Sequence, residues 1–382
     1  GREAEYAGYT AFGLIGTKHD QWYAQASFAR SFQDHWDLPG SFVPTVNEDG
    51  GARDFSRTQD WRVNLKAGFT PNATDEYSIS YTRQEGSKLA PLHITSTNGK
   101  VLRNWTWPEW NIESIYFLST TAIGDFATLK TRIYKSNYYN MLRSYDNRTL
   151  TTQLLPKSFD SPYDDNALGG SAEVDFHLGT RDTLSLAAHF RRDEHNESQT
   201  SAPGKTGATA EPNQESLEKT WSVALENRYA LSDALSFTLG ASYDWRHLDK
   251  AEEYSASHIP PLYSFPLKDA EGWNGQGRID WNGADGSSLY ASLSSRIRFP
   301  TLFERFSSQF GTAEPNPDLK PERATNLEFG GTKRFGAVRL SGAVYYSWLN
   351  DALVTIRTSA NLNKRENIGS AEYYGAEIGF DA

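Results

Sequence analysis

A chain of 382 residues with 38% hydrophobic and 13% aromatic residues is rich in rings and thin in aliphatics, a balance that suits neither a helical enzyme nor a disordered protein. It has no run of about 18 apolar residues, which excludes a helical membrane span but not a barrel, whose strands need only about 9–11 residues with every second one facing lipid. The net charge of −10 argues against a nucleic-acid partner, and the absence of cysteine removes disulfides, thiolate metal ligands and cysteine nucleophiles together.

In chain order, the opening residues 1–6 carry no apolar signal core, so either an export signal has been removed or the chain begins partway through a longer protein. Trp61, Val63, Leu65, Ala67 and Phe69 then alternate with Arg62, Asn64, Lys66 and Gly68. Trp221, Val223 and Leu225 alternate with Ser222, Ala224 and Glu226, and the odd residues from Leu235 to Trp245 with the polar set ending in Asp244 and Arg246. Val338, Leu340, Val344, Tyr346 and Trp348 oppose Arg339, Ser341, Ala343, Tyr345 and Ser347. Period-two patterning of this kind defines strands with one apolar face.

A soluble sandwich would alternate in the same way. Three features favour a barrel: apolar faces that begin and end on rings, strands of ten residues or more, and connections that alternate strictly between short and long. The short turns fall at 16–20, 71–75, 124–125, 179–182, 231–233, 282–286 and 334–336. The long polar segments fall at 35–57, 85–104, 139–166, 195–214, 247–271, 298–324 and 351–366. The pattern predicts an all-β, transmembrane antiparallel β-barrel with about fifteen strands present, in which Leu239, Tyr243, Val344 and Tyr346 face lipid.

The most specific stretch is Arg296 to Phe306, with Arg298, Pro300 and Glu304, followed by Asn316, Pro317, Leu319, Pro321 and Glu322 within 316–330. It resembles the paired motif of TonB-dependent outer-membrane receptors, Arg-x-Pro-x-x-x-Glu and then Asn-Pro-x-Leu-x-Pro-Glu. Ile297 and Phe299 stand where the family usually has Phe and Ala. The resemblance implies a barrel of about 22 strands in the bacterial outer membrane, in contact with lipid and lipopolysaccharide. It also implies a plug domain that engages the TonB complex. On this reading residues 1–382 are part of the barrel domain, with plug and C-terminal strands outside the chain.

The motif reads first as architecture: its prolines end strand pairing, Asn316 and Asp318 hold turns, and Arg298 pairs with Glu304 or Glu322. Haem receptors of the family carry a histidine between the two boxes; residues 307–314 contain none. Loop aromatics are the expected cargo contacts, namely Trp36, Tyr145, Tyr163, Tyr254, Tyr263 and Phe306, together with Arg305 and Gln309. Trp105, Trp107 and Trp110 read as an interface girdle. Arg143, Arg148, Arg246 and Arg298, near loop bases, read either as attractors of an anionic ferric chelate or, more commonly for such residues, as side chains solvated or paired with lumen carboxylates. Two acidic segments, 160–166 and 193–197, match no calcium-loop spacing and read as solvated loops. Zinc-type histidine spacing, a phosphate loop and a nucleophile elbow are all missing from the sequence, so no enzyme activity, cofactor or structural metal is expected.

The function expected is TonB-dependent active uptake of an iron chelate, a ferric siderophore. The alternatives are another nutrient carried by the same architecture (cobalamin, a different metal chelate, an oligosaccharide) or a passive porin-like barrel.

Overall fold

The structure, a computed structural model, describes residues 7–95, 102–308 and 311–381. Its first strands are β1 (Gly8–Lys18), β2 (Trp22–Gln33), β3 (Thr58–Phe69), β4 (Glu76–Leu89), β5 (Trp105–Ile123), β6 (Ala127–Ser144), β7 (Phe159–His177) and β8 (Asp182–Glu197). After the short β9 (Thr200–Ser201) and β10 (Thr209–Ala210) come β11 (Gln214–Ala230), β12 (Leu235–Tyr254), the short β13 (Leu262–Ser264), β14 (Ala270–Asn282) and β15 (Ser288–Arg298). One turn of helix, α1 (Leu302–Phe306), and the short β16 (Ala313–Glu314) precede β17 (Glu322–Phe335), β18 (Val338–Arg357) and β19 (Asn363–Asp381).

All nineteen belong to one sheet, in which each long strand pairs antiparallel with the next long strand along the chain. Fifteen of them run from 11 to 20 residues, the number expected from the alternation. Among the described residues β1 pairs with β2 alone and β19 does not reach it, so the sheet is open.

The turns at one end match the short segments read from the sequence. The last is tighter than expected, two residues between β17 and β18, with Gly336 at φ +60°. The loops at the other end are shorter than expected. Residues 139–144 and 159–166 are strand, as are 247–254, 351–357 and 363–366. These extensions mix polar and apolar residues without a one-faced apolar alternation, yet the backbone ladder continues.

Register fixes the two faces. Trp221 lies opposite Trp245, Val223 opposite Tyr243 and Leu225 opposite Ala241, and Tyr243 in turn faces Trp273. On this outer face Leu239 and Val344 are 65% and 53% exposed, as lipid-facing side chains are in a chain without its bilayer. The inner face is a polar network: Asp244 accepts from Ser222 and, at 2.6 Å, from Asn274, while Gln276 donates to Glu226 at 2.6 Å. Gly169 makes room for the Tyr134 ring across this face; a Cβ there would meet the phenol oxygen at 2.5 Å.

Rings mark two levels on the outside. Phe190 packs on Trp221 at 4.3 Å and Tyr243 on Trp273 at 4.8 Å toward the long-loop end. Tyr229, Trp281, Phe335 and Phe380 stand exposed toward the short turns. Trp221 to Tyr229 is about 26 Å along β11 at about 3.3 Å per residue, close to the apolar band of an outer-membrane barrel.

Candidate functional site

Beyond the ring row at the long-loop end, the connection between β15 and β17 folds inward over β12. Thr301 caps α1 by accepting from the Glu304 amide at 3.2 Å, and the Glu304 carboxylate accepts from the Thr301 amide at 2.8 Å. Arg298 does not choose between its two candidate partners: it pairs with Glu304 at 2.9 Å and Glu322 at 2.5 Å. Asn316 donates its side-chain amide to the Arg365 carbonyl at 2.8 Å and accepts from the Asp318 amide at 3.1 Å, holding the turn that buries Leu319.

The loop is fastened to the strand by charge and by rings. Arg246 donates to the Pro300 carbonyl at 2.5 Å, lies over the Phe299 ring at 5.0 Å and faces Glu218 at 3.5 Å. Phe299, one of the departures from the family pattern, is therefore the platform for a buried arginine. Phe306 packs with Leu248 and Ala251 and stacks on Phe265 at 5.1 Å. Arg305 is 2% exposed and donates to the carbonyls of Lys268 and Pro317, while its Nε and Nη1 find no partner among the described residues. Burial and the nearby Arg246 push its pKa down to about 10.

Under this loop lies a chamber of about 810 Å³, walled by the inner faces of β6, β7, β8, β11 and β12 and roofed by α1. Tyr138, Tyr163, Phe303 and Phe306 give it aromatic surface. Its charged wall comes from the two acidic segments, which are not solvated loops: they are the facing ends of β7 and β8, where Asp165 pairs with His195 and Tyr163 with Glu197. His195 Nδ1 lies 2.5 Å from Asp165, Nε2 lies 3.9 Å from Glu197, and the ring meets Tyr163 edge-on at 5.1 Å. Burial alone would lower the His195 pKa, but the two carboxylates outweigh it and raise it to about 9. Burial, reinforced by Glu197 and Glu211, lifts Glu253 to about 7.

The expected contacts scatter around this chamber. Tyr163 and Phe306 line it. Trp36 is 51% exposed on the loop after β2, its carbonyl accepting from the Arg53 amide. Tyr145 stands at the start of the loop between β6 and β7, and its amide donates to the Asn104 carbonyl. Tyr254 ends β12 opposite Leu262, and Tyr263 stacks on His258 at 4.1 Å; neither lines the chamber. Arg305 is buried behind α1, and Gln309 lies outside the described residues.

Trp107 and Trp110 are not a lipid girdle. A register shift between Thr106 and Glu109, where Pro108 interrupts the ladder, brings Trp107 onto the inner face that Trp110 already shares through its pairing with Asn140. There Lys88 sits 4.7 Å and 3.6 Å from their ring centres, and Trp110 touches Tyr138. The four arginines read either way are all engaged: Arg143 by Asp160, Arg148 by Asp54, Arg246 by Glu218 and Arg298 by its two glutamates. Glu48, Asp49 and Asp54 converge closely enough for a metal, but Glu48 is taken by Arg53 and by the amides of Gly50 and Asp54.

Of the lining residues, Asp165, His195 and Glu197 lie in the acidic segments read from the sequence as solvated loops, and Glu218 and Glu253 were not singled out at all. The available signal was the pair of acidic segments spaced to meet across one hairpin of long strands.

An open sheet of fifteen long strands with an apolar outside, a polar inside and a roofed chamber at its long-loop end has the architecture of an outer-membrane-type barrel wall. The family described as TonB dependent receptor-like, beta-barrel matches residues 6–382, and the chain belongs to that family. The fold is that of several solved receptors. The copper transporter OprC superposes with a TM-score of 0.78 at 17% identity, over 97% of this chain and 58% of that one. The FrpB iron transporter from Neisseria meningitidis (F3-3 variant) gives 0.72 at 14% identity, over 98% and 57%. The ferric yersiniabactin uptake receptor FyuA from Yersinia pestis gives 0.69 at 11% identity, over 98% and 56%. The chain thus spans a little over half the length of the solved structures it matches. Members of this family are normally outer-membrane proteins, and these relatives are transporters and receptors, not enzymes.

Proposed function

We propose that the protein is the barrel of a receptor for TonB-dependent uptake of a metal chelate, a ferric siderophore foremost, across a bacterial outer membrane. The observation that carries this reading is the position of the chamber: on the inner face, at the long-loop end, roofed by the loop that the paired motif builds. A compartment there meets external solute before the lumen does. Its aromatic and charged lining suits a compact polar complex, and its volume lies within the range of ligand pockets. Binding there becomes transport through a plug and the TonB complex in the full-length receptor, where lipid and lipopolysaccharide surround the outer face.

The test uses the full-length receptor in iron-starved cells lacking their own copy. Accumulation of radioactive iron from ferric chelates should require both TonB and the proton-motive force. Uptake that persists without either would make the barrel a passive pore, and growth and uptake unchanged by the deletion would remove the assignment.

A further inference from the structure

The chamber is acidic at its solvent end, and its cations are already committed. Arg191 is held by Asp193 at 2.6 Å and Arg246 by Glu218 at 3.5 Å, while His195 is shared between Asp165 and Glu197. One positive imidazolium between two carboxylates leaves a residual negative charge. Glu253, which titrates at about 7, adds a partial negative charge that a neighbouring cation would complete: among the described residues its carboxylate has no hydrogen-bond donor and no cationic partner. The upward shifts of Glu253 and Glu211 point the same way, since burial and uncompensated neighbouring carboxylates cause both. Around this charge stand Tyr138, Tyr163, Phe303 and Phe306, whose ring faces favour cations over anions. An anionic chelate entering here would meet no free guanidinium and several carboxylates.

We infer that the cargo of this chamber carries positive charge, a cationic metal complex or a chelate with a free ammonium group, recognised by Glu253 and Glu197 with Tyr163 beside them. This rests on the reading of the chamber as a cargo site and departs from the anionic or neutral chelate expected from the sequence. The ligand's cation takes the place left open beside Glu253, while its apolar body lies against the rings of α1. The matching charge also selects against tricatecholate and citrate complexes, which enter with like charge.

A matched pair of ligands tests the sign directly. Ferrioxamine B is a ferric trihydroxamate with one free ammonium group; acetylating that amine leaves the iron centre intact and removes the charge. Both are titrated into the detergent-solubilised full-length receptor, with ferric enterobactin as the anionic comparison. The expected result is binding of ferrioxamine B at least tenfold tighter than its acetylated form, with enterobactin weakest. In the Glu197→Gln, Glu253→Gln double variant the preference should fall below threefold, with affinity for the acetylated form unchanged. The comparison on the unmodified receptor needs no variant to fold. Equal or tighter binding of the acetylated or anionic complex, or binding of none of the three, overturns the inference. Uptake of other ferric chelates would still stand in that case, whereas loss of all TonB-dependent chelate uptake removes the underlying reading as well.

Discussion

The lower and upper halves of β11 and β12 are built from the same two strands on opposite rules. Below the ring row, one face is Val223, Leu225, Leu239 and Tyr243 and the other is Ser222, Glu226 and Asp244; lipid on one side and a wet lumen on the other impose strict alternation. Above it, the pairing slips by one residue between Leu217 and Glu218, and charged groups occupy both faces. Lys219 pairs with Asp249 on one side while Glu218 meets Arg246 on the other. The lower half is specified by solvent, the upper by particular contacts. The contacts that make a site accumulate where the bilayer no longer dictates residue type.

That contrast can be broken most forcefully in the upper half. Arg246→Leu strips the cation from Glu218 and the donor from the Pro300 carbonyl, leaving an uncompensated buried carboxylate; a loss of about 3–5 kcal/mol in urea unfolding of the detergent-solubilised receptor is expected. In the lower half, Leu239→Arg should cost roughly 2–4 kcal/mol if the site lies near the bilayer midplane, measured by folding into lipid vesicles. The same change at Asn196, near the outer end of β8, should cost less than about 1 kcal/mol, because no apolar band surrounds it. Equal penalties at the two positions would erase the distinction between the halves. Thr301→Ala removes the α1 cap and should lower local stability by about 1 kcal/mol, read as faster hydrogen exchange at the Glu304 amide.

A pH dependence probes the upper half without any substitution. The folded-state pKa of His195, about 9, lies above the ordinary histidine value of about 6.5. Its stabilising contribution is therefore complete below pH of about 6.5 and is lost as pH rises through about 9. Hydrogen exchange at the ends of β7 and β8 should accelerate across that window, and His195→Gln should flatten the response.

Much of the band was legible because each residue there answers to one of two solvents. Strand number, facing parity at Leu239 and Val344, and the positions of the short turns follow from that constraint. The paired motif made its loop legible too, down to the two candidate partners of Arg298, both of which it engages. The chamber was harder to see. Asp165 and His195 are 30 residues apart and meet only through the β7 and β8 register, which extends into segments whose polarity on both faces imitates loop. The inward turn of Trp107 beside Trp110 depends on a ladder slip at Pro108 that period-two counting steps across. Loop aromatics such as Trp36 and Tyr145 satisfy the same compositional rule as Tyr163, and only tertiary placement separates them.

The central claim is that cargo is held in the roofed chamber and not on the outlying loops, and paired alanine variants of the full-length receptor test it most directly. Tyr163→Ala with Phe303→Ala removes two chamber rings, whereas Trp36→Ala with Tyr145→Ala removes two rings outside it. With the receptor's tightest-binding ferric chelate titrated into each, the chamber pair should weaken binding by more than tenfold, about 1.4 kcal/mol, and the outlying pair by less than about twofold. Unchanged affinity in the chamber pair with a large loss in the outlying pair would contradict the account.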